Sequence, residues 1–308
     1  MGPETGMLAK SLLGIDGLAV LEVALPSEVS YNPAAVPLAL DLFQEKTYIE
    51  LDYGSLSFKE GPEVINTWAL YAFKVKNCGV RLARYTIDSD PRATRFAGPD
   101  YPVSFEGETY EITAGMKLND QFAVGAACVP YEQITTTLSD QSAVLARFKA
   151  KTKTQWRAGA VFTPTKTLSL GAVYSEGKSA SRMTLFAPTE EGTMEFYGED
   201  DYTEKLVTLG VGFQPIQGTI LSAGWQNGSI KGDNLNTDID LAAYGVKQYL
   251  TPDFSVNVNL NDRTWGYGAV YSKNGTTLGV SYSPDTYRAA EDYLGRAKTW
   301  YLWFSKSW

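Results

Sequence analysis

The sequence predicts an all-β protein, a transmembrane antiparallel β-barrel of about fourteen strands with an N-terminal luminal plug. Three observations predict it. From about residue 46 onward apolar residues recur with period two. Tight turns and longer connections alternate along the same stretch, the asymmetry of an outer-membrane barrel with turns on one side and loops on the other. The chain then stops on an aromatic strand, Lys298-Thr299-Trp300-Tyr301-Leu302-Trp303-Phe304-Ser305-Lys306-Ser307-Trp308, with no polar tail.

Residues 1–45 differ from the rest. Leu12, Leu13, Ile15, Leu18, Val20, Leu21 and Val23 form an apolar stretch without clear alternation, followed by Asn32-Pro33-Ala34 and Val36-Pro37-Leu38-Ala39-Leu40. The segment is too short for a separate domain and too apolar for a free tail. Inside a wide barrel its natural place is the lumen, so the chain divides into a plug, 1–45, and a barrel, 46–308. The other reading of 1–45 is a small cap or a tether to another protein. The first residues lack a basic region leading into an apolar core, so the chain is read as a mature one.

The strands are expected near 46–58, 64–75, 78–88, 103–117, 121–136, 142–163, 167–178, 204–214, 218–230, 237–250, 253–261, 264–272, 276–284 and 297–308. Val207, Leu209, Val211 and Phe213 alternate with Thr208, Gly210, Gly212 and Gln214. Phe254, Val256, Val258 and Leu260 alternate with Ser255, Asn257, Asn259 and Asn261. Periodicity alone does not say which face is inside; the connections help decide. Short turns fall at Lys76-Asn77, Asn119-Asp120, Pro164-Thr165-Lys166, Pro215-Ile216-Gln217, Thr251-Pro252 and Lys273-Asn274-Gly275. Longer connections fall near 59–63, 89–102, 137–141, 179–203, 231–236 and 285–296, and only Asp262-Arg263 is tight in a long-loop place. The segment 142–163 is read as one long strand bent near Lys151–Thr154. Pro130, Pro188 and Pro284 are placed near strand ends, where a missing N–H is tolerated.

The last strand puts Trp300, Leu302, Phe304 and Trp308 on one face. It resembles the terminal signal of bacterial outer-membrane barrels, which implies recognition by the barrel assembly machinery. Lys306 shares that face, and near a membrane interface a lysine can snorkel.

Composition narrows the function. A net charge of −8 and a pI near 4.8 argue against nucleic acid. No run of some eighteen apolar residues occurs, so no transmembrane helix is expected. With 19 tyrosines and 28 glycines the chain suits a girdled barrel. It contains no histidine, which removes Ser-His-Asp and Cys-His catalysis and histidine metal sites. Glu190-Glu191, Glu199-Asp200-Asp201 and Asp233…Asp238-Ile239-Asp240 read as solvated loop charge rather than paired catalytic carboxylates. No enzyme, cofactor or metal is expected. Cys78 and Cys128 lie on apolar strand faces and read as small hydrophobes, with one bridge or none. Arg81, Arg147, Lys149, Lys151 and Arg157 fall on faces expected to point inward, where they either pair with carboxylates or bind anions.

Ser30-Tyr31-Asn32-Pro33-Ala34, placed ahead of the first strand, resembles the N-terminal hatch of the FadL-like fatty-acid and hydrocarbon transporters. Gly159-Ala160-Val161-Phe162-Thr163-Pro164…Leu168-Ser169-Leu170-Gly171-Ala172-Val173-Tyr174 looks like that family's strand–Pro turn–strand hairpin, and Leu209-Gly210-Val211-Gly212-Phe213-Gln214-Pro215 like another. The resemblance implies a fourteen-stranded barrel in the bacterial outer membrane, passive uptake of small hydrophobic molecules, and a hatch carrying Asn32, Pro33 and Ala34. The implied partners are outer-membrane lipid, the barrel assembly machinery and a hydrophobic small molecule. The same look is shared by barrels that serve as structural subunits and bind an envelope protein, in a secretion or surface assembly, and that remains the alternative. A soluble β-sandwich or lipocalin-like carrier is a third reading.

Overall fold

The computed structural model describes residues 32–42, 47–58, 63–89, 93–94, 101–139, 144–189, 192–232, 236–261, 265–286 and 297–308. The apolar stretch from Leu12 to Val23 and the link at Asp262-Arg263 lie outside these residues. One helix, α1 (Ala35–Leu42), precedes the strands. They are β1 (Thr47–Phe58), β2 (Glu63–Val75), β3 (Cys78–Ser89), β4 (Ala93–Thr94), β5 (Tyr101–Lys117), β6 (Phe122–Ser139), β7 (Val144–Thr165), β8 (Leu168–Thr189), β9 (Gly192–Ile216), β10 (Thr219–Gly232), β11 (Asn236–Thr251), β12 (Phe254–Asn261), β13 (Trp265–Lys273), β14 (Thr276–Thr286) and β15 (Ala297–Ser307).

The short β4 pairs only with the start of β5, Ala93 with Pro102 and Thr94 with Tyr101. The other fourteen strands close into an antiparallel barrel, each bonded to two neighbours. Closure is made by β1 and β15, in register from Tyr48↔Ser307 to Phe58↔Ala297. Thr47 and Trp308 exchange both backbone bonds at 3.2 and 3.1 Å. A closed sheet leaves no open edge, which is the requirement for β-structure in lipid.

The tight turns gather at the end of the barrel where Thr47 and Trp308 meet. At Asn274-Gly275 both residues have positive φ, 51° and 71°. That is the type I′ turn whose twist matches flanking strands, and Asn-Gly is the pair that adopts it most cheaply. Asn119 uses its side-chain oxygen to accept from the N–H groups of Gln121 and Phe122, both at 2.8 Å. Adjacent turns are also tied together: Lys117 N–H donates to Asn77 O, Thr163 N–H to Gln121 O, and Ser307 N–H to Gly275 O.

The strands alternate as their sequence does. Leu209, Phe213, Val258, Leu302 and Phe304 are exposed on the outside, while Asn257, Asn259, Thr299 and Ser305 are buried on the inside. The barrel is therefore apolar outward and polar inward, the reverse of a soluble barrel. Lys306 keeps its place on the outward face because its ammonium donates to Asn274 O and Thr276 Oγ1, both at 3.0 Å, at the turn end.

Three expectations change. Residues 179–189 and 192–203 are not a loop but the outer ends of β8 and β9, which stay in register to Thr189↔Gly192. Their charged residues, Arg182, Glu195 and Glu199, share one face that suits water, so no loop is needed to explain them. Pro130 lies within β6 rather than at its end, at a bulge where Val129 and Pro130 of β6 face the single Glu111 of β5 between Tyr110↔Tyr131 and Ile112↔Cys128. A bulge tolerates proline because it leaves a backbone N–H unpaired. The third change follows from the expected bend near Lys151–Thr154, which is present as a bulge in β7 between Thr152↔Ser179 and Thr154↔Lys178. One extra residue flips every side chain beyond it. Arg81 and Arg157 accordingly point inward and are buried, whereas Lys149 and Lys151 are exposed and, with Arg147, share the outward face.

Candidate functional site: the inner wall and the mouth

Asn32 begins the described part of the N-terminal segment, and its side chain fixes a turn. Its Oδ1 accepts from Ala34 N–H at 3.0 Å, and its backbone carbonyl accepts from Ala35 N–H at 2.9 Å. Its Nδ2 donates to Ala160 O at 2.9 Å and Ala172 O at 3.4 Å, on β7 and β8. Pro33 has no N–H to satisfy and presets its own φ, so a buried turn here leaves few polar groups to pair. Ala34, Ala35 and Val36 are buried against Tyr48, Ala72, Ala123 and Val161, with Leu38 and Leu70 packed alongside. Asn32, Pro33 and Ala34 are thus brought together on the inner wall. Trp300, Leu302, Phe304 and Trp308 are on the outer surface of β15, all exposed.

Above this segment, charge is neutralised across three strands. Glu111 on β5 accepts from Arg81 on β3 through one oxygen and from Arg157 on β7 through the other. Thr113 Oγ1 adds a bond to Glu111 at 2.7 Å. All four side chains are buried. Of the two sequence readings for the inward arginines, carboxylate pairing is the one observed here.

Near residues 151–153, 176–182 and 199–205 the wall changes character. Strand β7 has by then run from Thr165 to Lys153, more than the roughly nine to eleven residues that a tilted strand needs to cross a bilayer. Ion pairs band the outer surface at this level: Lys153 with Asp201 at 2.6 Å and Lys205 with Glu176 at 3.6 Å. Beyond it, β7 to β9 exchange their faces. Arg182, Glu195 and Glu199 share the outer face, where the Arg182 guanidinium stacks 4.5 Å from the Tyr197 ring. The Tyr197 hydroxyl donates to Glu195, which raises its pKa above the ordinary phenol value. Phe148, Met183, Leu185, Met194 and Phe196 continue the face that lower down looks into the barrel, and are 40–52% exposed. Direct register pairs Phe148↔Met183 and Leu185↔Phe196 join them into one patch.

Just below that patch the β6–β7 ladder is interrupted. Pairing stops at Cys128↔Trp156 and resumes at Gln133↔Lys151, so Val129–Glu132 and Thr152–Gln155 face each other outside the paired register. Both strands carry their bulges at this level. Thr152 Oγ1 donates to Glu132 across the seam. On the outer surface beside it, Pro130, Tyr131, Tyr110, Ile112, Leu82 and Tyr71 help line an almost wholly apolar groove of about 640 Å³.

The mouth patch and the seam were missed from sequence. A signal for the patch was available: Met183/Leu185 and Met194/Phe196 keep period two inside the stretch taken as a loop. Cys78 and Cys128 are free thiols. Among the described residues no cluster of three or more carboxylate or thiol groups is placed to hold a metal ion.

No protein-family model matches the chain. No curated protein matches it in sequence either. Solved structures do match its shape. The Ralstonia pickettii toluene transporter TbuX superposes with a TM-score of 0.66 at 11% identity, covering 98% of both chains. A Pseudomonas aeruginosa FadL homologue gives 0.60 at 12% identity, covering 97% of this chain and 98% of that one. The fold is that of the FadL-like barrels. The Pseudomonas putida toluene transporter TodX gives 0.55 at 12% identity, over 90% of this chain and 92% of its own. This FadL-like fold is closed, apolar outside and polar inside, the build that β-structure needs when lipid surrounds it.

Proposed function

We propose that this barrel takes up small hydrophobic molecules passively across the bacterial outer membrane. The exchange of faces at the mouth carries the reading. A wall whose outer side is charged above the bilayer while its inner side is apolar offers dissolved apolar molecules a landing surface. Below that surface the lumen is lined by Arg81, Glu111, Arg157, Gln155 and Gln226, a poor solvent for a hydrocarbon. The break in β6–β7 register, spanned by the Thr152–Glu132 bond, lies at the boundary between the two, with the apolar groove reaching its β6 side at Pro130 and Tyr131. Sideways release through the seam into the bilayer is therefore favoured over descent through the polar lumen. The neighbours of similar shape include toluene transporters, which fits this substrate class.

In this reading residues 1–45 are the hatch, held by Asn32, Pro33 and Ala34, and block free passage of polar solutes. Outward Trp300, Leu302, Phe304 and Trp308 make the terminal signal read by the barrel assembly machinery, and outer-membrane lipid surrounds the apolar belt.

The test is uptake of a radiolabelled monoaromatic hydrocarbon into vesicles with a lipopolysaccharide outer leaflet. The barrel should accelerate uptake over protein-free vesicles. Phe148→Ser or Phe196→Ser should each slow it about fivefold, the equivalent of about 1 kcal/mol of lost apolar contact. Equal rates with and without the protein would refute the proposal.

A further inference from the structure

Four glycines widely spaced in sequence are neighbours in the sheet. Gly79 pairs with Gly115, Gly115 with Gly125, and Gly125 with Gly159, so one unbroken row crosses β3, β5, β6 and β7. All four turn their missing side chains inward, toward the segment Asn32–Pro37. A Cβ on Gly159 would stand 2.2 Å from Asn32 Oδ1 and 2.8 Å from Pro33 Cδ. On Gly125 it would meet Pro33 C at 2.4 Å, on Gly115 Pro33 O at 2.5 Å, and on Gly79 Pro37 N at 2.9 Å. The segment thus runs across the strands, step for step with the row. Adjacent strands lie about 4.8 Å apart, so the row is a trough about 15 Å long.

We propose that this glycine row is a shape-selective seat that fixes the Asn-Pro-Ala turn to the β3–β7 wall. A glycine in a strand weakens it, and four in register make a costly soft band unless something fills the space. Here the filler is backbone and proline, which no larger wall residue would admit. The seat holds the turn by close fit along its whole length, and Asn32 locks the end through Ala160 and Ala172. The hatch therefore stays on this wall while the barrel works, and any opening comes from elsewhere. The inference rests on the bilayer-spanning barrel but not on what it carries. Leak of a small polar solute tests it even if hydrocarbon uptake fails.

The experiment is a mutant cycle on the full chain, reading solute leak in liposomes and the folded fraction by heat-modifiable gel migration. All three atoms nearest to a Gly159 Cβ belong to the Asn32 and Pro33 side chains. Gly159→Ala should raise leak at least threefold, yet add nothing in an Asn32→Ala/Pro33→Ala background where the clash is gone. Gly210→Ala, where the new Cβ would come no nearer than 3.9 Å to Ala223 O, should change neither readout. Unchanged leak in folded Gly159→Ala, or an equal increment in both backgrounds, overturns the seat. Should Gly159→Ala alone not fold, a triple variant folding like its Asn32→Ala/Pro33→Ala parent supports the seat. A triple variant that also fails where that parent folds overturns it.

Discussion

Glu111 and Arg157, forty-six positions apart, form a buried ion pair on the inner wall, and the second oxygen of Glu111 is bound by Arg81. Removing the shared carboxylate leaves two buried cations facing each other. Glu111→Ala should cost about 3–5 kcal/mol of barrel stability. Replacing all three charges together, as Arg81→Met/Glu111→Leu/Arg157→Met, should cost less. Guanidinium unfolding in liposomes reports both, and a triple variant weaker than Glu111→Ala would contradict this reading.

Facing can be tested at neighbouring positions of β12. Val258 is exposed outward and Asn257 buried inward. Val258→Arg near mid-bilayer should lose about 2–4 kcal/mol, whereas arginine on the inner side meets polar neighbours. If Val258→Arg refolds into lipid as well as the parent, the apolar belt does not face a bilayer.

Sidedness follows from the clustering of tight turns with the chain ends. In a Cys78→Ser/Cys128→Ser background, cysteine at Lys166 or Gln217 should resist an impermeant thiol reagent applied to intact cells. Cysteine at Glu195, on the outward face of the β9 extension, should react. Reaction at both ends would sink the topology.

A substitution in the terminal strand can test assembly apart from stability. Trp308→Ala removes an exposed side chain and leaves the bonds between Thr47 and Trp308 intact, because they are made by backbone. Outer-membrane yield in cells should fall severalfold, while the purified, refolded variant should melt within about 0.5 kcal/mol of the parent. Equal yields would show that this residue carries no signal.

The strand ladder was readable because alternation is a one-dimensional property: Val207 to Gln214 and Phe254 to Asn261 announce both their faces. Bulges were partly hidden, since an extra residue at Pro130 or Lys153 alters no composition and shows only as a change of parity. Reading Arg147, Lys149 and Lys151 on one face with Arg157 assumed unbroken alternation, and the bulge broke it. The outer ends of β8 and β9 were mistaken for a loop because the acidic run Glu199-Asp200-Asp201 drew more weight than the period-two Met183/Leu185 and Met194/Phe196. Gly79, Gly115, Gly125 and Gly159 carried no visible relation at all, because only the register of four strands makes them adjacent.

The bonds between Thr47 and Trp308 set the order of events in assembly. The first strand of the wall cannot be satisfied until the last has been delivered, so β1 waits through nearly the whole chain with one side unpaired. During that wait it is a template for any other strand. Closure joins the first and last strands of the wall, and an agent that shields the waiting edge of β1 should raise the yield of barrels without touching the finished one.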